Sequence, residues 1–250
     1  MPSQPLRMPG ASLTTRLKVY DDLTPDGQRG GTPHMHRLCT EMYFVTAGAG
    51  AVEIIDMQGF RIVELELYDA FLFSPGTIHR LINANGNLEL FIMMQNSGLP
   101  ERGDNVVTFN QEFLGDDARY QAAMKAPSFE AARLRRDRGV EGFMQLKAAF
   151  AESLARGQEA LADFYALANE RTHVLRSTWQ HIIETGAQDE VRRSFEHLED
   201  LSRGDLSYLG QSRQHHIKPQ DFKTAGFCGA LNRYFDPATL ELEGITQIKS

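Results

Sequence analysis

Two cysteines and one tryptophan in a chain of 250 residues leave out much of what small secreted domains rely on. So few thiols cannot build a disulfide framework, and Cys39 and Cys228 are read as reduced. Long apolar runs are absent as well: none reaches the roughly 20 residues of a membrane-spanning helix, so a bilayer is not an expected partner. The opening M-P-S-Q-P-L-R-M-P-G-A-S carries no signal-peptide core, which makes the cytoplasm the expected location. Basic excess is missing too. The formal net charge is −7, and residues 126–250 hold 16 Lys+Arg against 18 Asp+Glu. No basic domain hides behind the average, so nucleic acid is not an expected partner. The hydrophobic share of 42% is that of an ordinary soluble chain long enough to bury a sizeable core.

What the chain does have is a concentration of metal-ligand side chains. Residues 31–48 read G-T-P-H-M-H-R-L-C-T-E-M-Y-F-V-T-A-G, with His34, His36 and Glu41 close together. Alternate side chains of a strand share a face, so His34 and His36 point the same way. A short link then lets Glu41, at the start of the next apolar run, reach the same point. Residues 69–83, D-A-F-L-F-S-P-G-T-I-H-R-L-I-N, add a tight turn at Pro75-Gly76 and a further histidine, His79. Imidazoles with one carboxylate suit Fe, Mn, Ni, Co or Zn. Tyr43, two residues beyond Glu41, falls on the same face. Cys39 reads as a small buried hydrophobe, with a reactive thiol as the alternative.

These two stretches resemble the paired signature motifs of the cupin superfamily. The first motif gives His34, His36, Glu41 and the closing Gly48; the second gives Pro75, Gly76, His79 and Asn83. Three departures concern turn geometry: Pro75 and Gly76 are adjacent, the second motif's opening glycine is missing, and Gly31 stands nearer to His34 than the pattern has it. The resemblance implies a jelly-roll barrel with one divalent metal ion per chain, and pairing of barrels into a homodimer.

Strand signals agree with that architecture. Alternating runs are expected at 12–20, 41–47, 52–56, 60–67 and 88–95, with turns at 48–50, 57–59 and Asn85-Gly86. The barrel is expected over 1–110. A helical region is expected over 111–250, with helices at 116–124, 128–138, 141–156, 159–184 and 189–201 and a mixed stretch after them that periodicity does not assign. The fold class is therefore an all-β jelly-roll (cupin) barrel followed by an α-helical region. No second H-x-H pair with a following glutamate occurs, so the chain reads as a single-metal monocupin. His173, His181 and His197 read as solvated or structural, and His215-His216 lacks a carboxylate at ligand spacing. The cluster Arg133, Arg135, Arg136, Arg138 reads as a solvated helix face, and Arg80 is expected to alternate outward.

Four protein ligands on an ion that favours six leave room for a small organic molecule with adjacent oxygens. An apolar lining of Val45, Phe71, Phe73 and Leu81 would favour such a guest, with Tyr43 as an acid, base or orienting hydroxyl. The first reading is thus a metal-dependent oxygenase of dioxygenase type with Fe(II). Zn, Mn or Ni would instead support an isomerase, lyase or decarboxylase. A ligand-sensing regulator resembling the AraC type is the reading from another class, against which the acidic C-terminal half stands.

Overall fold

The computed structural model describes residues 7–212, 214, 216–218 and 221–234. In chain order its strands are β1 (Leu13–Val19), β2 (His34–His36), β3 (Glu41–Ala47), β4 (Gly50–Asp56), β5 (Gly59–Leu65), β6 (Ala70–Phe73), β7 (Ile78–Ile82), β8 (Glu89–Met94), β9 (Asn105–Val107), β10 (Thr224–Ala225) and β11 (Gly229–Arg233). They form two antiparallel sheets, one ordered β10-β11-β1-β8-β3-β6 and the other β5-β4-β7-β2-β9. This is the expected jelly roll.

Between the sheets lies a core of Leu17, Val45, Val52, Leu81, Leu90 and their neighbours. Over β4, β7, β2 and β9 the second sheet is buried on its outer side as well. There Met35, Ile78 and Val107 pack against Phe143, Leu161 and Phe164 from the helices. A sheet covered on both faces has no wet side for a charge to escape to.

Arg80 shows the consequence and corrects the expectation that it points outward. It does alternate away from His79, but its guanidinium is fully buried. There it donates to Asp26 at 2.6 Å, Glu53 at 3.1 Å and the Thr24 hydroxyl at 2.8 Å, while Lys147 reaches Glu53 at 2.7 Å. Burial alone would raise the Asp26 carboxyl, but Arg80 and Thr24 outweigh it and hold it at about 2. Removing one partner of such a buried pair leaves the others uncompensated. Arg80→Ala is therefore expected to cost about 3–5 kcal/mol of folding stability, measured by chemical denaturation.

The helices are α1 (Gln111–Leu114), α2 (Asp117–Met124), α3 (Phe129–Glu152), α4 (Leu154–Thr172), α5 (Arg176–Ile183) and α6 (Asp189–Ser202). The expected interruption between 138 and 141 is absent, since α3 runs through Gly139 and Gly142 without a break. Those glycines serve close approach. A Cβ on Gly139 would stand 2.6 Å from the Val107 side chain, and one on Gly142 would meet the Thr108 carbonyl oxygen. The break falls instead at Ser153, whose side chain accepts from the Arg156 amide at 3.1 Å and caps α4. Likewise the single helix expected over 159–184 is cut by a 3-10 turn at His173–Leu175. The gap expected between 184 and 189 is a π turn, Glu184–Gln188, that runs on into α6.

Two further expectations change. The region after 110 is not wholly helical, because β10 and β11 return to the first sheet and pair with β1. Arg135 and Arg136 are 6% and 1% exposed rather than solvated. Arg136 donates to the Leu23 carbonyl at 3.0 Å, and Arg135 to the Gly226 carbonyl at 3.0 Å. Charge on α3 is thus taken up by loop carbonyls rather than by solvent. Cys39 is buried beside Leu99, Trp179 and Ile182, its thiol donating to the Gln95 carbonyl at 3.0 Å. His173 is exposed, and His197 stacks on Tyr208 with centroids 4.1 Å apart. His215 lies outside the described residues.

Candidate metal centre

Three inner strands meet at one point. β2 carries His34 and His36 on its inner face, and β7 runs antiparallel beside it with His79 directly opposite His34. β3 opens with Glu41, whose buried alternation continues through Tyr43 and Val45. The Pro75-Gly76 turn sets where β7 begins. Gly76 adopts φ +89°, which side-chain-bearing residues rarely take, and its amide donates to the His36 carbonyl at 2.8 Å. One potential donor atom from each of His34, His36, Glu41 and His79 lies within 4.8 Å of all the others, and the four are 0–3% exposed.

Hydrogen bonds fix which imidazole nitrogen faces inward. Nδ1 of His34 lies 2.8 Å from the Thr32 carbonyl and Nδ1 of His79 lies 3.0 Å from the Thr77 carbonyl. Carbonyls only accept, so these nitrogens carry the protons and each Nε2 keeps its lone pair. His36 likewise keeps a proton on Nδ1, which faces Asp104 Oδ2 at 3.0 Å, so its Nε2 faces Glu41 and carries the second proton when no metal is bound. Asp104 is itself fully buried and held by the Arg37 and Leu38 amides at 3.2 and 2.8 Å. This is the outer support by which metal-ligating histidines are oriented.

The inward atoms need a cation. Nε2 of His36 and of His79 and Oε2 of Glu41 are buried without a hydrogen-bond partner among the described residues. Yet the two nitrogens stand 3.1 and 3.3 Å from that oxygen. Lone pairs facing one another at that distance repel unless a positive charge lies between them. Donors about 2.1 Å from one ion and at right angles to each other stand roughly 3 Å apart, which is near the spacing of both nitrogen–oxygen pairs, so the cluster could hold one metal ion.

Without metal the charge is a proton. Burial would lower His36, but Glu41 and Asp104 overcome it and hold its pKa at about 9. Burial would raise Glu41, but His36 and His79 keep it well below the carboxylate range. Burial pushes His34 well below the usual imidazole value, and the His79 and His36 rings add to the effect.

Tyr43 lies beside the quartet, its ring centroid 6.0 Å from that of His79 and 5.1 Å from that of Phe73. Burial, then the charge of Glu41, drive its phenol well above the ordinary value. Its hydroxyl is buried, with the Cys228 thiol as a neighbour. Of the expected apolar lining, Val45, Phe73 and Leu81 are buried in the inner core, and Phe71 packs against it half-buried. Asn83 serves the fold: its side chain donates to the Val19 carbonyl at 3.1 Å and accepts from the Leu88 amide at 3.0 Å.

Three residues are not placed at this site by the sequence. Asp104 lies in a stretch that reads only as the end of the barrel. Phe227 and Cys228 lie in the C-terminal part that periodicity does not resolve, and Phe227 stacks on His34 with centroids 5.0 Å apart and planes 27° apart.

No protein-family model and no curated protein matches this chain. Solved structures do. A cupin protein from Bacteroides fragilis matches over 35% of this chain and 65% of its own, at 17% identity and a TM-score of 0.26. The TDP-fucose-3,4-ketoisomerase WlaRA from Campylobacter jejuni matches over 34% of this chain and 58% of its own, at 12% identity and a TM-score of 0.27. Hydroxypropylphosphonic acid epoxidase from S. wedmorenis matches over 33% and 41%, at 15% identity and a TM-score of 0.25. The chain thus spans less than two thirds of the length of each. By its own strand order, its two motifs and the four side chains they bring together, the chain has the cupin jelly-roll fold.

Proposed function

We propose that this chain is a metal-dependent enzyme acting on a small organic molecule, and that its reaction is an oxygenation. His34, His36, Glu41 and His79 would hold one divalent ion, Fe(II) being favoured. The observation that carries the reading is the buried facing of His36 Nε2, His79 Nε2 and Glu41 Oε2, none with a hydrogen-bond partner among the described residues, while the three imidazoles are oriented from behind by a carbonyl or carboxylate. Such an ion supplies Lewis acidity towards a guest with adjacent oxygens and, as iron, electrons for dioxygen.

The chain's own side chains set the conditions for that chemistry. Phe73, 4.1 Å from His79 between ring centroids, and Val45 keep water from the inner side of the site. Burial and Glu41 keep Tyr43 protonated, and we assign its hydroxyl the role of hydrogen-bond donor to an anionic guest. Tyr43→Phe is then expected to lower kcat by about 10- to 100-fold, the worth of a hydrogen bond to a charged group, while bound metal stays at the wild-type level. Unchanged kcat would reduce Tyr43 to a packing residue.

The deciding experiment is anaerobic purification with elemental analysis, followed by oxygen-uptake measurements with catechols, hydroxy acids and keto acids. Iron with substrate-dependent oxygen uptake supports the proposal. Zinc, manganese or nickel with turnover in the absence of oxygen overturns the redox part and leaves an isomerase, lyase or decarboxylase on the same ligands.

A further inference from the structure

The four ligand side chains are 0–3% exposed, so a guest reaches them only if some part of the wall gives way. Most of that wall is β-ladder, tied along its length by backbone hydrogen bonds. One part is built differently. Between β10 and β11 the chain turns through Gly226, Phe227 and Cys228, and this tip rests on residues 31–33, the irregular segment that leads into His34. Phe227 is only half-buried, yet it stacks on a fully buried ligand. Phe73, the ring that packs on His79, is itself buried.

Backbone and side-chain groups from elsewhere fasten the tip, the Tyr20 amide donating to the Cys228 carbonyl at 3.0 Å. The Phe227 carbonyl accepts from the Thr32 amide at 3.1 Å and the Thr32 hydroxyl at 2.6 Å. The Gly226 carbonyl accepts from the Tyr20 hydroxyl at 3.1 Å and from Arg135 at 3.0 Å. The Arg135 guanidinium also lies 4.0 Å from the Phe227 ring centroid. Gly31 makes room for the contact, since a Cβ there would stand 2.8 Å from both Cα and Cβ of Cys228. Phe227 packs with the inner core and with the helix-side core alike, so it is the joint between them.

We propose that the tip Gly226–Gly229 is the closing wall of the metal pocket: Phe227 is the residue a guest displaces, and Arg135, reaching from α3, is its positioning residue. The need for a guest rests on the enzymatic reading above; the closure itself is a property of the fold. It also gives the helical half a task at the site, since α3 supplies the group that holds the wall shut.

Cys228 reports on the wall directly, because its thiol lies beneath it and is 5% exposed. In a Cys39→Ala background it is the remaining thiol, and its reaction with a disulfide reagent is followed in metal-free protein. Phe227→Ala removes most of a buried ring contact, so the labelling rate is expected to rise at least about tenfold. Arg135→Gln is expected to raise it severalfold, with Arg135→Lys between the two, and Phe227→Leu, which keeps most of the apolar burial, to change it least. Should Phe227→Ala fail to fold, the Arg135 pair decides. Wild-type labelling rates in folded Phe227→Ala, or in both Arg135 variants, overturn the closure. In loaded protein the same variants are expected to release metal faster to a chelator with stoichiometry unchanged. If the wild type takes up no ion, the metal reading fails, and the thiol rates still judge the wall.

Discussion

His79→Ala is expected to take bound divalent metal from about one ion per chain to a small fraction of that, with the barrel still folded. The size of the effect follows from position. His79 faces His34 across the β2–β7 pair and shares Glu41 with His36, so its loss opens one side of the shell. The fold survives because the strand is held by its ladder and by Ile78 and Leu81 on either side, not by the imidazole. Metal bound only by the folded state stabilises it by mass action, about 4 kcal/mol at a thousandfold excess over Kd. Chelation should accordingly lower the wild-type melting temperature and leave that of His79→Ala unmoved. Exposed His173 supplies the control, since His173→Ala should bind metal as the wild type does. Full stoichiometric metal in His79→Ala would remove that residue from the shell.

Much of this site was legible because its parts are local. His34 and His36 two apart on a strand, Glu41 at the head of the next, and a turn followed by His79 need only the pleat and the hairpin to bring them together. The strands were read from the same alternation. What escaped depends on long-range packing. Gly139 looks like a helix break in isolation, and only the sheet against α3 explains why a residue without Cβ belongs there. Arg80, Arg135 and Arg136 look solvated until the helices are seen to cover β4, β7, β2 and β9 and the loop carbonyls to take up the α3 guanidinium groups. Asp104 and Phe227 carry no local pattern at all. Each matters through a histidine 68 or 193 positions away, a relation that periodicity cannot register.

Metal affinity is expected to rise about tenfold per pH unit until about pH 9, because the ion must displace the proton that His36 holds there. Near neutral pH, uptake should release close to one proton per ion, measurable by titration calorimetry in buffers of different ionisation enthalpy. The metal-free protein should behave in the opposite way. His36 has its folded pKa raised above the unfolded imidazole value of about 6.5, so its contribution to stability is fully present below that value. It is lost as pH rises through about 9. Over this window Glu41, held low, stays ionised and His34, held low, stays neutral, so neither reverses the trend. The two stability curves, with and without metal, should therefore diverge as pH climbs from about 6.5 towards about 9. A flat metal affinity across that interval, with no proton released, would mean that His36 carries no proton in the empty site, and that the charge between its Nε2 and Glu41 is balanced in some other way.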